Sequence, residues 1–272
     1  MKVITNDENY TNIANAIREK TGKADKLLPS QMASEISNIT TGGGDVEPPL
    51  DGKTRLYITL YTTLKTDYVL NIYQNTANGA IIDWGDGSPT ETNESTGYVS
   101  FNHKYTKSGD FIISIENVGS NQLRLGKNTS SDGILGYLYG ENAIYTLLLK
   151  KAIIGSSVYL TTNYCFSVAR ALGKITIDEG IMEIGNGTFN YCESLTEMTI
   201  PATVTSIGTQ AFAYCQSLKK LHMKSIEPPR LSASNVFTAT PEDLIIYVPV
   251  GSLEAYKAKT NWSNYADQMV EE

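Results

Sequence analysis

In 272 residues the chain holds only two histidines, His103 and His222, and three cysteines, Cys165, Cys192 and Cys215. So few histidines argue against a multi-histidine metal site, and nothing near either one supplies a nucleophile elbow for a histidine-based triad. The cysteines lack any C-x-x-C spacing, so neither a zinc site nor a redox motif is indicated. Long hydrophobic runs are missing too. The stretches Tyr145 to Leu149 and Leu244 to Val250 are too short to span a bilayer, and the last residues form no anchoring tail. Positive charge is in deficit: 22 Lys and Arg face 29 Asp and Glu, for a net charge of -7 and a pI near 5.0. Because phosphate neutralisation needs clustered cations, a nucleic-acid partner is not expected. Residues Met1 to Glu8 turn polar and acidic before an apolar stretch can form, so the expectation is a protein without a signal peptide, made in the cytoplasm. Sequons such as Asn93-Glu94-Ser95 then carry no weight.

What is present points to β-structure. Hydrophobic residues make up 41% and charged ones 19%, with 17 Tyr and 22 Gly, a composition that favours strands and turns over helical bundles. The length allows two or three domains.

Tyr10, Ile13, Ala14 and Ile17 recur at helical spacing before Gly22, and Met32, Ile36 and Ile39 continue such a stripe after Pro29. Two short helices bury little alone, so residues 1–41 should lean on a partner chain or on copies of themselves, as in a trimer. Thr40 to Leu50, with three glycines and then two prolines, reads as a linker. The segments Ile13 to Gly22 and Leu28 to Ala33 resemble a helical module of phage tail and tail-fibre proteins, although Leu28 stands where that module carries a capping Thr or Ser.

From Arg55 the pattern becomes alternating: Tyr57, Thr59 and Tyr61 against Leu56, Ile58 and Leu60, then Val69 to Tyr73. A β-sandwich is expected. Ile81-Ile82-Asp83-Trp84-Gly85-Asp86-Gly87-Ser88 and His103 to Ile115 resemble the polycystin-type (PKD) immunoglobulin-like domain over about 55–118. That resemblance implies a core Trp84, a Gly-Asp-Gly turn, a packed His103 and a role as spacer or binding module.

Internal repetition is the strongest signal. Leu172 to Ser194 written above Leu195 to Ser217 aligns Ile177 with Ile200, Ile184 with Ile207, Gly185 with Gly208, Phe189 with Phe212 and Cys192 with Cys215, without a gap. A third rung begins at Leu218, and an earlier, degenerate one sets Asn163-Tyr164-Cys165-Phe166-Ser167 against Asn190-Tyr191-Cys192-Glu193-Ser194. This pattern resembles BspA-like leucine-rich repeats. Each rung should give one strand whose inward residues, Ile175 and Ile177 or Met198 and Ile200, stack about 4.8 Å from their equivalents. The far side would be filled by Phe189, Phe212, Leu195 and Leu218, with Gly185 and Gly208 making the turn. The three thiols should form a buried, reduced ladder. Residues 227–272, with Pro228-Pro229, a strand at Leu244 to Val248 and a helix at Ser252 to Lys257, resemble the closing segment of such domains.

The expected fold is mainly β: a helical hairpin (1–41), a Gly/Pro linker (42–54), a PKD-like sandwich (55–118), an N-terminal cap with degenerate repeats (119–171), repeats (172–226) and a C-terminal cap (227–272). Asp83 and Asp86 could be imagined as a calcium site or a glycosidase pair, but their spacing misses the calcium-loop pattern and a hairpin turn accounts for them better. Gly185 to Asn190 only superficially resembles a phosphate loop, since Gln210 replaces Gly187 in the next rung. His222 should point outward from its rung as a solvated residue or a binding contact.

No catalytic set, metal site or cofactor follows, and binding remains. The module order resembles a phage tail appendage attached to other virion tail proteins through its helices and meeting a host cell-surface glycan or protein. A bacterial surface adhesin is the chief alternative, and a glycan-processing enzyme is third. The residues expected to carry recognition are the outward strand residues Lys174, Thr176, Glu197, Thr199, Lys220 and His222, for which a merely solvated face is the competing reading.

Overall fold

The computed structural model describes residues 51–60, 67–127, 133–135 and 149–272. The expected helical hairpin, Tyr61 and most of the linker lie outside them. The first strands are β1 (Thr54–Leu60), β2 (Asp67–Gln74), β3 (Ala80–Asp83), β4 (Gly97–Lys104), β5 (Gly109–Asn117) and β6 (Leu123–Leu125). They form two sheets, with β3-β5-β1 in one and β4-β2-β6 in the other. Period-2 alternation sends Leu56, Ile58, Leu70, Ile72, Phe101, Ile113 and Ile115 to a shared buried core. Trp84 is fully buried there, and the His103 ring stacks on it at 4.6 Å. The Tyr105 hydroxyl donates to the Trp84 carbonyl at 2.8 Å.

The carboxylates at and just beyond the end of β3 serve the turn, as the sequence suggests. Asp83 accepts the Gly85 N–H and Asp86 accepts the Ser88 N–H. Gly85 and Gly87 take φ of 76° and 85°, a left-handed conformation that disfavours a side chain. At Gly85 a Cβ would also come within 2.5 Å of the Ile112 carbonyl oxygen. Burial alone would raise the Asp86 carboxyl, but hydrogen bonds from Ser88 and His103 outweigh it and hold the group down at about 2.

The remaining strands are β7 (Leu149–Ile154), β8 (Val158–Thr161), β9 (Lys174–Ile177), β10 (Glu183–Ile184), β11 (Glu197–Ile200), β12 (Ser206–Ile207), β13 (Lys220–Met223), β14 (Arg230–Leu231), β15 (Ile245–Val248) and β16 (Met269–Glu271). They wind as a coil with two parallel ladders. The short ladder is β10-β12-β14, and the long one runs through β9 to β11-β13-β15-β16, with β9 and β11 as neighbours in separate sheets. Met198 sits opposite Leu221 and Ile200 opposite Met223, as the alignment requires.

The sandwich is joined directly to this coil. β7 pairs antiparallel with β1 on one edge and parallel with β9 on the other, while β8 pairs parallel with β6. Both sheets of the sandwich therefore run on into the first turn of the coil, and one buried cluster extends from Leu56 to Met269. Gly155 marks the closest approach: a Cβ there would lie 2.1 Å from the Gly52 carbonyl oxygen.

On the third side of the coil Phe166, Phe189, Phe212 and Phe237 stack at 5.4 to 5.6 Å. This stack corrects the sequence alignment of the first rung. The Phe166 amide bonds the Thr188 carbonyl as the Phe189 amide bonds that of Ala211, so Phe166 is the equivalent of Phe189 and not of Glu193. Ala169, rather than Cys165, then occupies the position of Cys192 and Cys215. The ladder of three equivalent thiols is therefore a pair, with Cys165 buried at the position of Thr188 and Ala211. The glycines also act differently from expectation. Gly208 has no positive φ; a Cβ on it would lie 2.5 Å from the Asn186 amide nitrogen, so it permits the rungs to approach.

The Cys192 and Cys215 thiols donate to the Phe166 and Phe189 carbonyls at 3.3 and 3.1 Å. Burial pushes the Cys165 and Cys192 thiols well up, and Cys215 up to about 12. At about pH 8 a thiol reagent should label none of the three rapidly in folded protein and all three after denaturation. Rapid labelling of the native chain would remove this burial model.

The coil closes with helix α1 (Leu253–Ala258), a 3-10 helix at Trp262–Gln268 and β16. The indole N–H of Trp262 donates to the Pro229 carbonyl at 2.7 Å, and the Tyr256 hydroxyl to the Ser225 carbonyl at 2.8 Å. The strand at Ile245–Val248 and the helix fall where the sequence places them, and β16 is an addition.

Candidate functional site

The six outward residues singled out in the sequence do share a face. Alternation in β9, β11 and β13 buries Ile175, Ile177, Met198, Ile200, Leu221 and Met223 and turns the others out. Lys174, Glu197, Thr199 and Lys220 are exposed, whereas Thr176 and His222 are half-buried. Register sets Glu197 beside Lys220 and Thr199 beside His222.

His222 departs from a solvated residue. Its side chain retains 17% exposure, and its ring stacks on Tyr247 of β15 at 4.6 Å. Nδ1 lies 2.7 Å from a Glu272 oxygen and Nε2 lies 3.5 Å from Glu197. Lys224 adds a 2.9 Å contact to Glu272, and Lys220 a 3.7 Å contact to Glu197. Hydrogen bonding from Lys224, then from His222, holds the Glu272 carboxyl below the usual range despite partial desolvation. Exposed pairs of this kind contribute roughly 0–1 kcal/mol each, so they orient the face more than they hold the coil together.

The same face continues where sequence reasoning did not look. Lys151 of β7 sits opposite Lys174, and Tyr57 of β1 sits opposite Lys151, whose ammonium lies 5.0 Å from the Tyr57 ring centre. Ile112 of β5 follows opposite Tyr57 and is exposed. At the other end Ile245 and Val270 are exposed beyond Lys220 and His222. The face thus runs from the sandwich to the last strand, with mixed charges and hydroxyls in its middle and apolar groups at its ends. The pairing of β1 with β7 is what extends it, and no local pattern announces that contact.

His103 is packed, as expected, with its side chain 9% exposed and Nε2 2.9 Å from Asp86. Among the described residues no group of three His, Cys, Asp or Glu is arranged to hold a metal ion, and no helix is long and apolar enough to cross a membrane.

The stacked parallel rungs, each burying the same inward set, form a repeat solenoid. Residues 139–236 match the model of the BspA type leucine rich repeat region, in six copies. The match starts well before residue 172 and takes in residues 139–171 of the 119–171 stretch expected to be a cap with degenerate repeats. Two solved structures are similar over part of their length. A leucine-rich repeat protein from Bacteroides ovatus is 20% identical over 43% of this chain and 30% of its own, with a TM-score of 0.30. The pneumococcal vaccine antigen PcpA is 15% identical over 45% of this chain and 40% of its own, with a TM-score of 0.22. The chain thus spans less than half the length of either. No curated protein matches it.

Proposed function

We propose that the chain is a non-enzymatic recognition protein of the bacterial cell surface, an adhesin of BspA-like type, whose long strand face binds a cell-surface glycan or protein. The observation that carries this reading is the outward face itself: its residues alternate with the buried set, and the coil needs only their polarity. The match to the BspA type repeat region supports it, and favours a surface adhesin over a phage tail appendage. The tail reading depends on residues 1–41, which lie outside the described residues. The sandwich, with buried Trp84, packed His103 and the Gly-Asp-Gly turn, is consistent with a PKD-like spacer that also extends the face.

The test uses the full chain, because β7 pairs with β1 and the β6 strand under β8 pairs with β2, and a 120–272 fragment would lack both β1 and β2. Labelled protein is applied to a panel of Gram-positive and epithelial cells, with Thr176, Thr199 and His222 changed together to Ala. The triple variant should keep its far-UV spectrum and lose about tenfold or more in cell binding, as removal of a few central contacts does. Undiminished binding by the folded triple variant would move recognition off this face.

A further inference from the structure

A second surface lies on the loop side of the coil. Here each rung carries two left-handed residues four positions apart: Tyr164 and Val168, Gly187 and Tyr191, Gln210 and Tyr214. The amide of Val168 bonds the Asn190 carbonyl, that of Tyr191 the Ala213 carbonyl, and that of Tyr214 the Thr238 carbonyl. This pattern makes Val168, Tyr191, Tyr214 and Ala239 equivalent, and Ala239 shares their left-handed φ, at 55°.

The side chains at this position stack along the coil. The Tyr191 and Tyr214 rings are parallel within 2° at 4.4 Å, and the Arg170 guanidinium, paired with Glu193, covers Tyr191 at 5.6 Å. The stack then stops. Ala239 stands where the next ring would be and is exposed, as is Thr238. Tyr214 has no ring or cation contact other than Tyr191 among the described residues. The far face of half-buried Tyr214 therefore meets no further ring: exposed Ala239 holds the next position, the Tyr214 amide bonds the Thr238 carbonyl, and exposed Gln216 stands at the repeat position of Glu193.

We propose that this open ring position binds a neutral hexopyranose unit, whose C–H face completes the stack on Tyr214 while its hydroxyls meet the amide of Gln216 and the hydroxyl of Thr238. A flat, half-buried aromatic face favours an apolar ring face. Gln216 and Thr238 offer uncharged donors and acceptors, which suit hydroxyl groups better than an ionic ligand. A peptide aromatic side chain is the weaker fit, because such anchors take most of their energy from a dry, enclosed pocket. The proposal deepens the reading of a glycan-binding surface protein and rests on it, yet it uses a different face from Thr176, Thr199 and His222.

The experiment is saturation-transfer NMR on the full chain with hexaoses of glucose, mannose and N-acetylglucosamine, and with N-acetyltyrosinamide as the aromatic probe. Two variants approach the site from opposite sides. Tyr214→Ala removes the platform, and Ala239→Tyr fills the open position with a ring that the same left-handed turn already accepts at 191 and 214. Transfer to pyranose C–H protons of at least one hexaose is expected in the parent. Both variants should weaken it about tenfold, the size of a good aromatic stacking contribution, while Ala239→Tyr melts no lower than the parent. The strand-face triple variant should leave it unchanged, which separates this site from the strand face. Transfer that survives in Ala239→Tyr, absence of transfer from every hexaose, or binding of N-acetyltyrosinamide alone would each overturn the proposal.

Discussion

The sandwich and the coil are expected to unfold together, in one transition, and the fragment 120–272 is expected to show no cooperative melt. The chain has two tryptophans, and they report from opposite ends: Trp84 in the sandwich core and Trp262 in the C-terminal cap. Single-tryptophan variants, Trp84→Phe and Trp262→Phe, should give fluorescence melting curves that coincide with circular dichroism of the same protein. The reason is β7. It contributes Leu149, Ala152 and Ile154 to the common core, and it is hydrogen-bonded on one edge to β1 and on the other to β9. Cutting after residue 119 strips the β1 edge from β7 and uncovers the apolar side chains beneath it. The same cut takes β2 from beside β6, the strand on which β8 rests. A repeat array needs a cap at each end, because a rung cannot bury its own face. Here the sandwich is that cap, and the hydrogen bonds from the Ser157 hydroxyl to Gly52 and from the Gly155 amide to Thr54 fasten the seam. Two well-separated transitions, or a fragment 120–272 with a sharp melt of its own, would show that the seam is only a contact between independent units.

That seam marks the limit of what can be read from the residues. Repeats announce themselves because each rung solves the same packing problem with the same residue types, so Ile177, Ile200 and their inward neighbours are legible from spacing alone. Trp84, His103 and the turn at Gly85 are legible through the resemblance of their motifs to a PKD-like domain, and His103 also through its sharing a face with Phe101 and Tyr105. The pairing of β1 with β7 joins residues nearly a hundred positions apart, and neither strand carries a mark of its partner. The first rung misleads for a different reason. Asn163-Tyr164-Cys165 resembles Asn190-Tyr191-Cys192 letter for letter, and identity draws the alignment away from the frame that Phe166 on Phe189 imposes. The physical signature of the loop is a pair of left-handed residues, and it is filled by Tyr, Val, Gly and Gln in different rungs. Of the candidate site, alternation is enough to separate outward from inward residues. It does not show that Glu272, just past a strand with no obvious signal, reaches His222.

The inward assignment has a sharp consequence at two adjacent residues of β11. Ile200 is fully buried and faces Met223 in the next rung, whereas Thr199 beside it is exposed next to His222. Ile200→Asp should lower stability at neutral pH by at least about 3 kcal/mol, combining the lost burial of a large aliphatic side chain with an unpaired carboxylate in the stack. Thr199→Asp, one residue away in the same strand, should change it by no more than about 0.5 kcal/mol. Denaturant midpoints of the two variants measure the contrast. The pH dependence gives a second check with a definite sign. Burial raises the introduced carboxyl at position 200 above its unfolded value of about 4, so the charged form is favoured in the unfolded chain. The penalty there is therefore full above the folded value and recedes as pH falls through it towards the unfolded one. Ile200→Asp should regain stability relative to the parent between neutral and mildly acid pH, and Thr199→Asp should show no such recovery. Equal midpoints for the two variants would mean that β11 presents its other face to the core, and the outward columns assigned to recognition would then have to be exchanged for the inward ones.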